Sequence, residues 1–320
     1  MPSSPDIVSL GEAMVEFASP EPGPLRDARR FDVGWGGDTS NFAVAVARLG
    51  GQVGYVTQLG DDEFAESLLG LWRREGVDTT AVRRIGDAFT AAYFLSRGTD
   101  GAHGFNYFRE GSAAARMQAE DVPVDYIRGA RAFHTSGITQ AISDGACDAS
   151  FRALEEARDA SVLTTYDPNL RLKLWSVDRA RAIVLHTIGQ IDVALPNLDE
   201  ARLLTGLDEP VAAAESLLER GPTAVVVKLG EEGALVADAD GARRIRGYSV
   251  KVVDSAGAGD TFDAAFVVGL LAGESVDEAA DLANAAAALT TTGLGCVVPI
   301  PTRAEVDGIR IDAGARTIGT

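Results

Sequence analysis

An apolar run, a glycine-rich loop and the start of an apolar helix follow one another in VKVVDSAGAGDTF, residues 250–262. Small residues at 256–259 let the backbone approach a ligand closely. The N–H groups at a helix start have no partner within the helix, and the helix dipole favours an anion there. The segment therefore predicts an anion-binding loop at the N-terminus of a helix.

An acidic residue, Asp260, falls in the first turn of that helix. A carboxylate beside an anion site is poor for simply holding a phosphate. It suits a base that takes a proton from a hydroxyl while the N–H groups of Gly257, Ala258 and Gly259 hold the phosphoryl group under attack. The alternative is an ordinary helix start whose acid contributes under about 1 kcal/mol. The segment is no dinucleotide fingerprint, because Phe262 stands at the third glycine position.

Short apolar runs alternate with longer amphipathic segments along most of the chain. The pattern predicts strands at 7–10, 53–57, 131–134, 162–166, 192–195 and 224–229, and helices at 40–49, 63–75, 147–158, 178–186 and 198–205. Alternating strands and helices favour right-handed βαβ units and a mostly parallel sheet that is covered on both faces.

Two regions interrupt the alternation, at residues 12–36 and 89–109. Both combine β-rich runs with Gly- or Pro-rich turns and contain no helical pattern, so each is predicted to form a hairpin. We expect the two hairpins to form a small β-lid inserted in a single α/β domain that spans residues 1–320. The tail, residues 308–320, is weakly patterned and expected to fray.

The composition is acidic, with 29 Lys and Arg against 47 Asp and Glu, a net charge of −18 and a pI near 4.6; the only lysines are Lys173, Lys228 and Lys251. Such a chain is a poor partner for nucleic acid or an anionic membrane. Two cysteines, Cys147 and Cys296, cannot form a disulfide framework, which favours a reducing, cytoplasmic location. The acidity has two interpretations: charge-based solubility, or adaptation to a high-salt cytoplasm in a halophilic source.

A second glycine motif, Gly36-Gly37-Asp38-Thr39-Ser40-Asn41, precedes the first predicted helix. The glycines allow close backbone approach to a small ligand, and Asp38 and Asn41 offer polar groups to hydroxyls. The alternative is a capped helix start with Asp38 or Thr39 as the N-cap.

The two glycine motifs, in this order, resemble the paired signatures of the PfkB (ribokinase-like) sugar kinases, and the resemblance runs from Ile7 to about Arg303. It implies a three-layer α/β sandwich with a mostly parallel central sheet and a β-lid. It also implies ATP and Mg²⁺ as cofactors, a response to K⁺ in many members, and often a homodimer through the lid. By the same resemblance Asp260 is the catalytic base and the backbone of 257–259 is the anion hole.

Further matches to the family concern the nucleotide. Asn197 and Glu200 fall in an Asn-x-x-Glu motif that helps to place Mg²⁺ and the phosphates. Lys228, with the glycines of the loop that follows it, resembles the strand-end loop along the nucleotide, and Asn284 lies on the helix at the adenine side. The two loop glycines are Gly230 and Gly233. No residue is assigned as a direct metal ligand.

Within the family the chain most resembles 2-keto-3-deoxygluconate kinases, in segments 11–16, 36–39, 107–109, 136–138 and 169–171. This implies phosphorylation of the terminal hydroxyl of that sugar acid to the 6-phosphate, an Entner–Doudoroff reaction. Arg109 and Arg171 would bind the carboxylate, because guanidinium groups bind carboxylates in a bidentate fork. The other expected substrate contacts are Gly36, Gly37, Asp38, Asn41, Tyr93 and Tyr107.

Two alternatives to a sugar-acid kinase stay open at this point. Residues 167–172 with Leu174 and Trp175 also resemble fructokinases, so the arginine pair alone does not prove a carboxylate substrate. A non-catalytic sugar-binding protein would be marked by loss of Asp260 or of the small residues at 257–259, and both are present.

Overall fold

The computed structural model describes residues 5–98 and 103–318. Its strands are β1 (Ile7–Leu10), β2 (Met14–Pro22), β3 (Asp32–Gly36), β4 (Val53–Gly60), β5 (Val82–Ile85), β6 (Ala92–Arg97), β7 (His103–Phe108), β8 (Ala132–Ser136), β9 (Leu163–Asp167), β10 (Val193–Ala194), β11 (Ala224–Lys228), β12 (Gly233–Asp238) and β13 (Gly241–Arg246). Its helices are α1 (Asp38–Arg48), α2 (Glu63–Glu75), α3 (Val124–Arg128), α4 (Gly137–Ala141), α5 (Asp144–Asp159), α6 (Val177–Ile188), α7 (Leu198–Thr205), α8 (Pro210–Leu218), α9 (Ala258–Leu271), α10 (Val276–Thr290) and α11 (Arg303–Ile318).

The main sheet has nine strands in the order β13-β12-β11-β10-β9-β8-β1-β4-β5. All neighbouring pairs from β11 to β5 are parallel, whereas β12 and β13 pair in antiparallel fashion. Every residue of β1 and β4 is buried, as expected for strands covered on both faces. The predicted mostly parallel sheet is confirmed.

Helices cover both faces of the main sheet and create two hydrophobic cores. One core joins α1, α2, α9 and α10 to the sheet and includes Phe42, Trp72 and Phe266. The other core joins α5, α6, α7 and α8 to the opposite face and includes Phe133 and Tyr166. The architecture is therefore the predicted three-layer sandwich.

The lid is a four-stranded sheet in the order β3-β2-β6-β7. The pairs β2–β3 and β6–β7 are antiparallel, and a parallel pairing of β2 with β6 joins the two hairpins. The expected turn of the second hairpin includes residues 99–102, which lie outside the described residues. Both hairpins fall within the segments that interrupt the α/β alternation in the sequence.

The start of α1 depends on a glycine rather than on a capping side chain. The N-cap is Gly37 with φ of 104°, and a Cβ there would lie 2.3 Å from the Glu12 carbonyl oxygen. The alternative of Asp38 or Thr39 as the N-cap is therefore wrong, and the helix begins two residues before its predicted start. The chain turns here against the segment that follows β1, which brings two distant parts of the sequence together.

Three further findings complete the fold. Residues 250–253 form no strand, and Val252 and Val253 are exposed. The weakly patterned tail belongs to α11, which runs to residue 318. Among the residues described, no helix combines the length and the apolar character needed to cross a membrane.

Candidate active site

The glycine loop before α9 leaves the start of this helix without a capping side chain in the described structure. Gly257 is the N-cap with φ of 77°, and a Cβ there would lie 2.6 Å from the Cys296 carbonyl oxygen. Asp254 fixes the loop, since its carboxylate accepts hydrogen bonds from the backbone N–H of Ala256 at 3.0 Å and of Gly295 at 3.1 Å. The loop is therefore held rigidly while the helix N-terminus stays available to an anion.

Asp260 lies in the first turn of α9 beside Asn41 of α1. The Asn41 Nδ2 donates a hydrogen bond of 2.8 Å to Asp260 Oδ2. Burial and the charge of Asp38 raise the pKa of Asp260 to about 7, although the hydrogen bond from Asn41 lowers it. A carboxylate with this pKa is suited to accepting a proton near neutral pH.

Lys228, at the end of β11, lies just beneath the first turn of α9. Its Nζ is 3.0 Å from Asp167 Oδ2 and 3.0 Å from Asp263 Oδ1. Burial alone would lower the pKa of Lys228. The charges of Asp167 and Asp263 raise it by more than burial lowers it, so the pKa of Lys228 lies above its ordinary value. A Cβ on Gly259 would lie 3.7 Å from Nζ, so this paired ammonium group lies beside the helix N-terminus.

Asp38 occupies the first turn of α1 and faces the same space as Asp260. Its carboxylate accepts hydrogen bonds from the Thr39 N–H at 2.9 Å and from Asn169 Nδ2 at 3.0 Å. Burial raises the pKa of Asp38, whereas the charge of Arg171 lowers it. Arg171 is exposed and donates to the Leu170 carbonyl at 3.0 Å, so its guanidinium group is available at the rim of the site.

The lid contributes two tyrosines to the site. Tyr93 donates from its hydroxyl to Glu16 Oε2 at 2.5 Å, and a Cβ on Gly36 would lie 2.6 Å from that hydroxyl. Tyr107 lies opposite Tyr93 in the lid register, with ring centres 5.8 Å apart. Burial raises the pKa of Tyr107, and Arg171 lowers it, so this lid residue lies within electrostatic reach of the rim arginine.

Arg109 follows β7 and is almost entirely buried. It forms an ion pair with Glu12, whose side chain is fully buried, and its guanidinium carbon lies 5.3 Å from the centre of the Tyr107 ring. Burial raises the pKa of Glu12, whereas the charge of Arg109 lowers it. Arg109 therefore lies beside Tyr107 as one member of a buried ion pair.

A cleft of about 660 Å³ runs from Lys228 along the glycine loop to α10. The residues that line it include Gly230, Gly233, Tyr248, Gly259 and Asn284. The Asn284 amide donates to the carbonyls of Ile245 at 3.2 Å and Arg246 at 3.1 Å, so it holds the end of β13 against α10. The cleft is large enough for a nucleotide and ends at the anion loop.

The profile of the pfkB family carbohydrate kinases matches residues 4–303. The chain is a carbohydrate kinase of the pfkB family. It is 33% identical over 307 residues to the 2-dehydro-3-deoxygluconokinase of Bacillus subtilis, covering 94% of each chain, and 34% identical over 313 residues to the probable fructokinase-4 of Arabidopsis thaliana, covering 95% of this chain and 96% of the relative. In fold it resembles the fructokinase with bound ATP from Xylella fastidiosa, with a TM-score of 0.87, 24% identity and coverage of 96% and 98%.

The structure of this kinase brings most of the predicted site residues to one place. Asn41 donates a hydrogen bond to Asp260, and the Tyr93 hydroxyl packs closely against Gly36. The Arg109 guanidinium group lies over the Tyr107 ring. The predicted nucleotide residues Lys228, Gly230, Gly233 and Asn284 share the cleft with Ala258 and Gly259.

Asn197 and Glu200 form a reciprocal cap at the start of α7. The Glu200 carboxylate accepts from the Asn197 N–H at 3.0 Å and from the Leu170 N–H at 2.8 Å, so it also anchors the loop that carries Arg171. Burial and the charge of Asp167 raise the pKa of Glu200 to about 7. Within the described ranges no group of three or more His, Cys, Asp or Glu side chains is arranged to hold a metal ion.

Sequence reasoning gave no role to three buried acids of the site, Glu12, Asp167 and Asp263. Asp263 could have been found, because it follows Asp260 by three positions and so lies on the same helix face. Asp167 ends the parallel strand β9, and strand ends of this kind meet at the ligand-binding edge of a sheet. No local signal pairs Glu12 with Arg109, since the two residues are 97 positions apart.

Proposed function

We propose that this kinase transfers the γ-phosphoryl group of ATP to the terminal hydroxyl of a sugar acid, with 2-keto-3-deoxygluconate as substrate and 2-keto-3-deoxy-6-phosphogluconate as product. The observation that carries this proposal is that the Arg109 guanidinium carbon lies 5.3 Å from the centre of the Tyr107 ring, while the charge of Arg171 also lowers the pKa of Tyr107. Two guanidinium groups beside one lid residue suit a carboxylate, which they bind through charge-assisted hydrogen bonds. The name of the Bacillus subtilis relative supports the same substrate.

Asp260 is the proposed base. Asn41 engages Oδ2 and leaves Oδ1 for the sugar hydroxyl. The proton of the hydroxyl passes to the carboxylate as the hydroxyl oxygen attacks the γ-phosphorus and the bond from that phosphorus to ADP breaks, so the acid form of Asp260, the phosphate ester and ADP appear together. Gly36, Gly37 and Asp38 would shape the sugar side, because their backbone and carboxylate border the same space.

The phosphoryl group would be received by the N–H groups of 257–259 and by Lys228. A preorganised helix N-terminus and a buried ammonium stabilise charge that develops in the transition state. The nucleotide would lie along Gly230 and Gly233, with its base towards Asn284. Magnesium, when bound with ATP, supplies charge neutralisation on the phosphates.

Asn197 and Glu200 are the residues proposed to place the magnesium. Glu200 is buried, carries a pKa of about 7 and keeps lone pairs beyond its two backbone contacts, which fits an ion that retains waters and binds through few protein carboxylates. A response to K⁺ stays a prediction, as does a cytoplasmic location.

The whole chain is proposed to act as one kinase domain whose lid also forms a homodimer. The outer lid face carries Phe17, Phe94 and Phe108, and Phe108 is 58% exposed. These rings line a cavity of about 580 Å³ with Phe64 and Phe89. Exposed aromatic patches of this kind suit association between copies.

Fructose is the second candidate substrate, and a specific observation favours it. The charge of Arg109 is already compensated by Glu12, so the sugar site is less cationic than two arginines suggest. A neutral ketose places no carboxylate near Glu12. The probable fructokinase-4 of Arabidopsis thaliana is as similar to this chain as the sugar-acid kinase is.

A coupled assay of ATP consumption tests the proposal. The panel contains 2-keto-3-deoxygluconate, its galactonate isomer, fructose, ribose and a nucleoside, each at low and at molar KCl. The highest kcat/KM is expected with a keto-deoxy acid, and higher KCl is expected to increase activity if the acidic surface reflects a high-salt cytoplasm. A kcat/KM that is highest for fructose would replace the sugar-acid assignment. If no compound on the panel supports ATP consumption, the kinase proposal is refuted.

A further inference from the structure

A buried ion pair lies under the lid, next to the sugar side of the site. The Arg109 side chain is 9% exposed and the Glu12 side chain is fully buried. Arg109 donates from Nη2 to Glu12 Oε2, and the Ser112 hydroxyl donates to Glu12 Oε1 at 3.4 Å. The charge of Arg109 is therefore compensated before any sugar enters.

The guanidinium group of Arg109 nevertheless keeps an open donor. Its Nε is buried and has no hydrogen-bond partner among the residues that the structure describes. A buried donor without a partner costs free energy, so an acceptor supplied by a ligand would be stabilised there. A sugar oxygen is the natural acceptor, because Arg109 borders Tyr107 and its partner Glu12 lies within electrostatic reach of Asp38.

The charge of Glu12 affects the two candidate substrates differently. A carboxylate that approaches Arg109 is repelled by the Glu12 carboxylate on the same guanidinium group, and this repulsion is poorly screened inside the protein. A hydroxyl oxygen carries no charge and is not repelled. Arg109 can therefore bind either substrate, and the charge of Glu12 sets the preference between the sugar acid and the neutral ketose.

We propose that Glu12 determines the charge preference of the sugar site by compensating Arg109. Glu12 acts through Arg109 rather than on the substrate, so it is a positioning residue. Loss of its charge leaves Arg109 uncompensated and increases the preference of the kinase for a sugar acid over a neutral ketose. This role rests on the proposed kinase function and concerns only the choice between substrates.

The test compares kcat/KM for 2-keto-3-deoxygluconate with kcat/KM for fructose in the wild type and in Glu12→Gln. Glutamine keeps an acceptor oxygen for Arg109 and removes the charge. The ratio of sugar acid to fructose is expected to rise about tenfold, which corresponds to about 1.4 kcal/mol of relieved repulsion. A ratio that stays within about twofold of the wild type in the folded variant overturns the proposal.

The matched control is Glu156→Gln. Glu156 is also a buried glutamate, with a side chain 5% exposed, and it is paired with Arg128 and Arg152 on α3 and α5 rather than with a residue of the site. Its substitution is expected to leave the substrate ratio unchanged. An equal rise in both variants would mean that loss of a buried charge, rather than its position at Arg109, changes selectivity, and would overturn the proposal.

A second measurement needs no variant. Burial and the charge of Asp38 raise the pKa of Glu12, Arg109 lowers it, and Tyr55 and Tyr107 are the other titratable groups that interact with it. Protonation removes the Glu12 charge, so the ratio of sugar acid to fructose is expected to rise as the pH falls. Asp260 acts on both substrates alike and cancels in the ratio.

A wild-type ratio of sugar acid to fructose that falls as the pH falls overturns the role of Glu12, even where Glu12→Gln fails to fold. Dissociation constants for the two sugars, measured by calorimetry, give the same comparison without turnover. Failure of the wild type to bind either sugar would overturn both the proposed function and this role. Binding of both sugars with an unmoved ratio would overturn the role of Glu12 alone.

Discussion

Replacement of Asn41 by alanine is expected to move the acid limb of the pH profile to higher pH. The Asn41 amide donates a 2.8 Å hydrogen bond to Asp260, whose pKa is about 7. A hydrogen bond to a charged group is worth about 1.5–3 kcal/mol, and about 1.4 kcal/mol corresponds to one pKa unit. Loss of the bond should therefore raise the pKa of Asp260 by about one to two units.

The direction in which the acid limb moves follows from the role of Asp260 as the base. Asp260 accepts a proton only when it is ionised, so activity falls as the pH falls through its pKa. With the pKa of Asp260 one unit higher, the ionised fraction at pH 7 drops from about a half to about a tenth, and kcat/KM drops about fivefold. Activity is expected to recover towards the wild-type plateau above the new pKa.

The assay is kcat/KM against pH, from about pH 5.5 to pH 9.5, for the wild type, Asn41→Ala and a control. The control is Gln58→Ala, because the Gln58 amide makes a similar 2.7 Å bond to the Asp121 carboxylate away from Asp260. The control limb should coincide with the wild-type limb. An acid limb of Asn41→Ala that also coincides with the wild type would refute the reasoning, since it would show that Asn41 does not stabilise the ionised base.

Three further variants test other parts of the site. Asp260→Asn should remove nearly all turnover but leave ATP binding intact by calorimetry, and turnover near the wild-type level would exclude Asp260 as the base. Arg171→Ala should raise KM for the sugar acid far more than for fructose, and an equal rise for both would exclude a carboxylate contact. Lys228→Met leaves Asp167 and Asp263 as unpaired buried acids, so the free energy of unfolding should fall by about 3–5 kcal/mol in a denaturant titration, together with turnover. Unchanged stability would mean that the ion triad is not maintained in solution.

The homodimer prediction is tested at Phe108. Phe108→Ser removes an exposed ring from the outer lid face without touching Asp260 or the anion loop. Light scattering coupled to size-exclusion chromatography should then show a monomer where the wild type shows a dimer. A wild type that elutes as a monomer, or a variant that remains a dimer, would contradict the proposed lid interface.

The layers of the fold were predictable because they follow local rules. Apolar spacing in α1 and α2 and the left-handed Gly76 that ends α2 are visible within a few residues of sequence. The lid hairpins were predictable for the same reason. The valines at 252 and 253 mark the limit of such rules, since an apolar run is compatible with a strand whether or not a partner strand exists beside it, and these two residues are exposed and form no strand.

The site was predictable only in part. The glycine loop and Asp260 are adjacent in the chain, so their association needs no tertiary information. The partners of Arg109 and Lys228 are different, because Glu12 is 97 positions and Asp167 is 61 positions away. A sequence motif marks such residues as charged but cannot say which opposite charge reaches them.

The sequence by itself determined the α/β alternation, the two glycine loops and an acid at a helix start, because backbone sterics and side-chain periodicity act over a few residues. Only the tertiary structure decided the electrostatic state of the site. It buries Asp260 near Asp38, which raises the pKa of the base, and it encloses Arg109 with Glu12. Charges interact through space and are strengthened by burial, so their effects depend on the packing of distant segments rather than on the local order of residues.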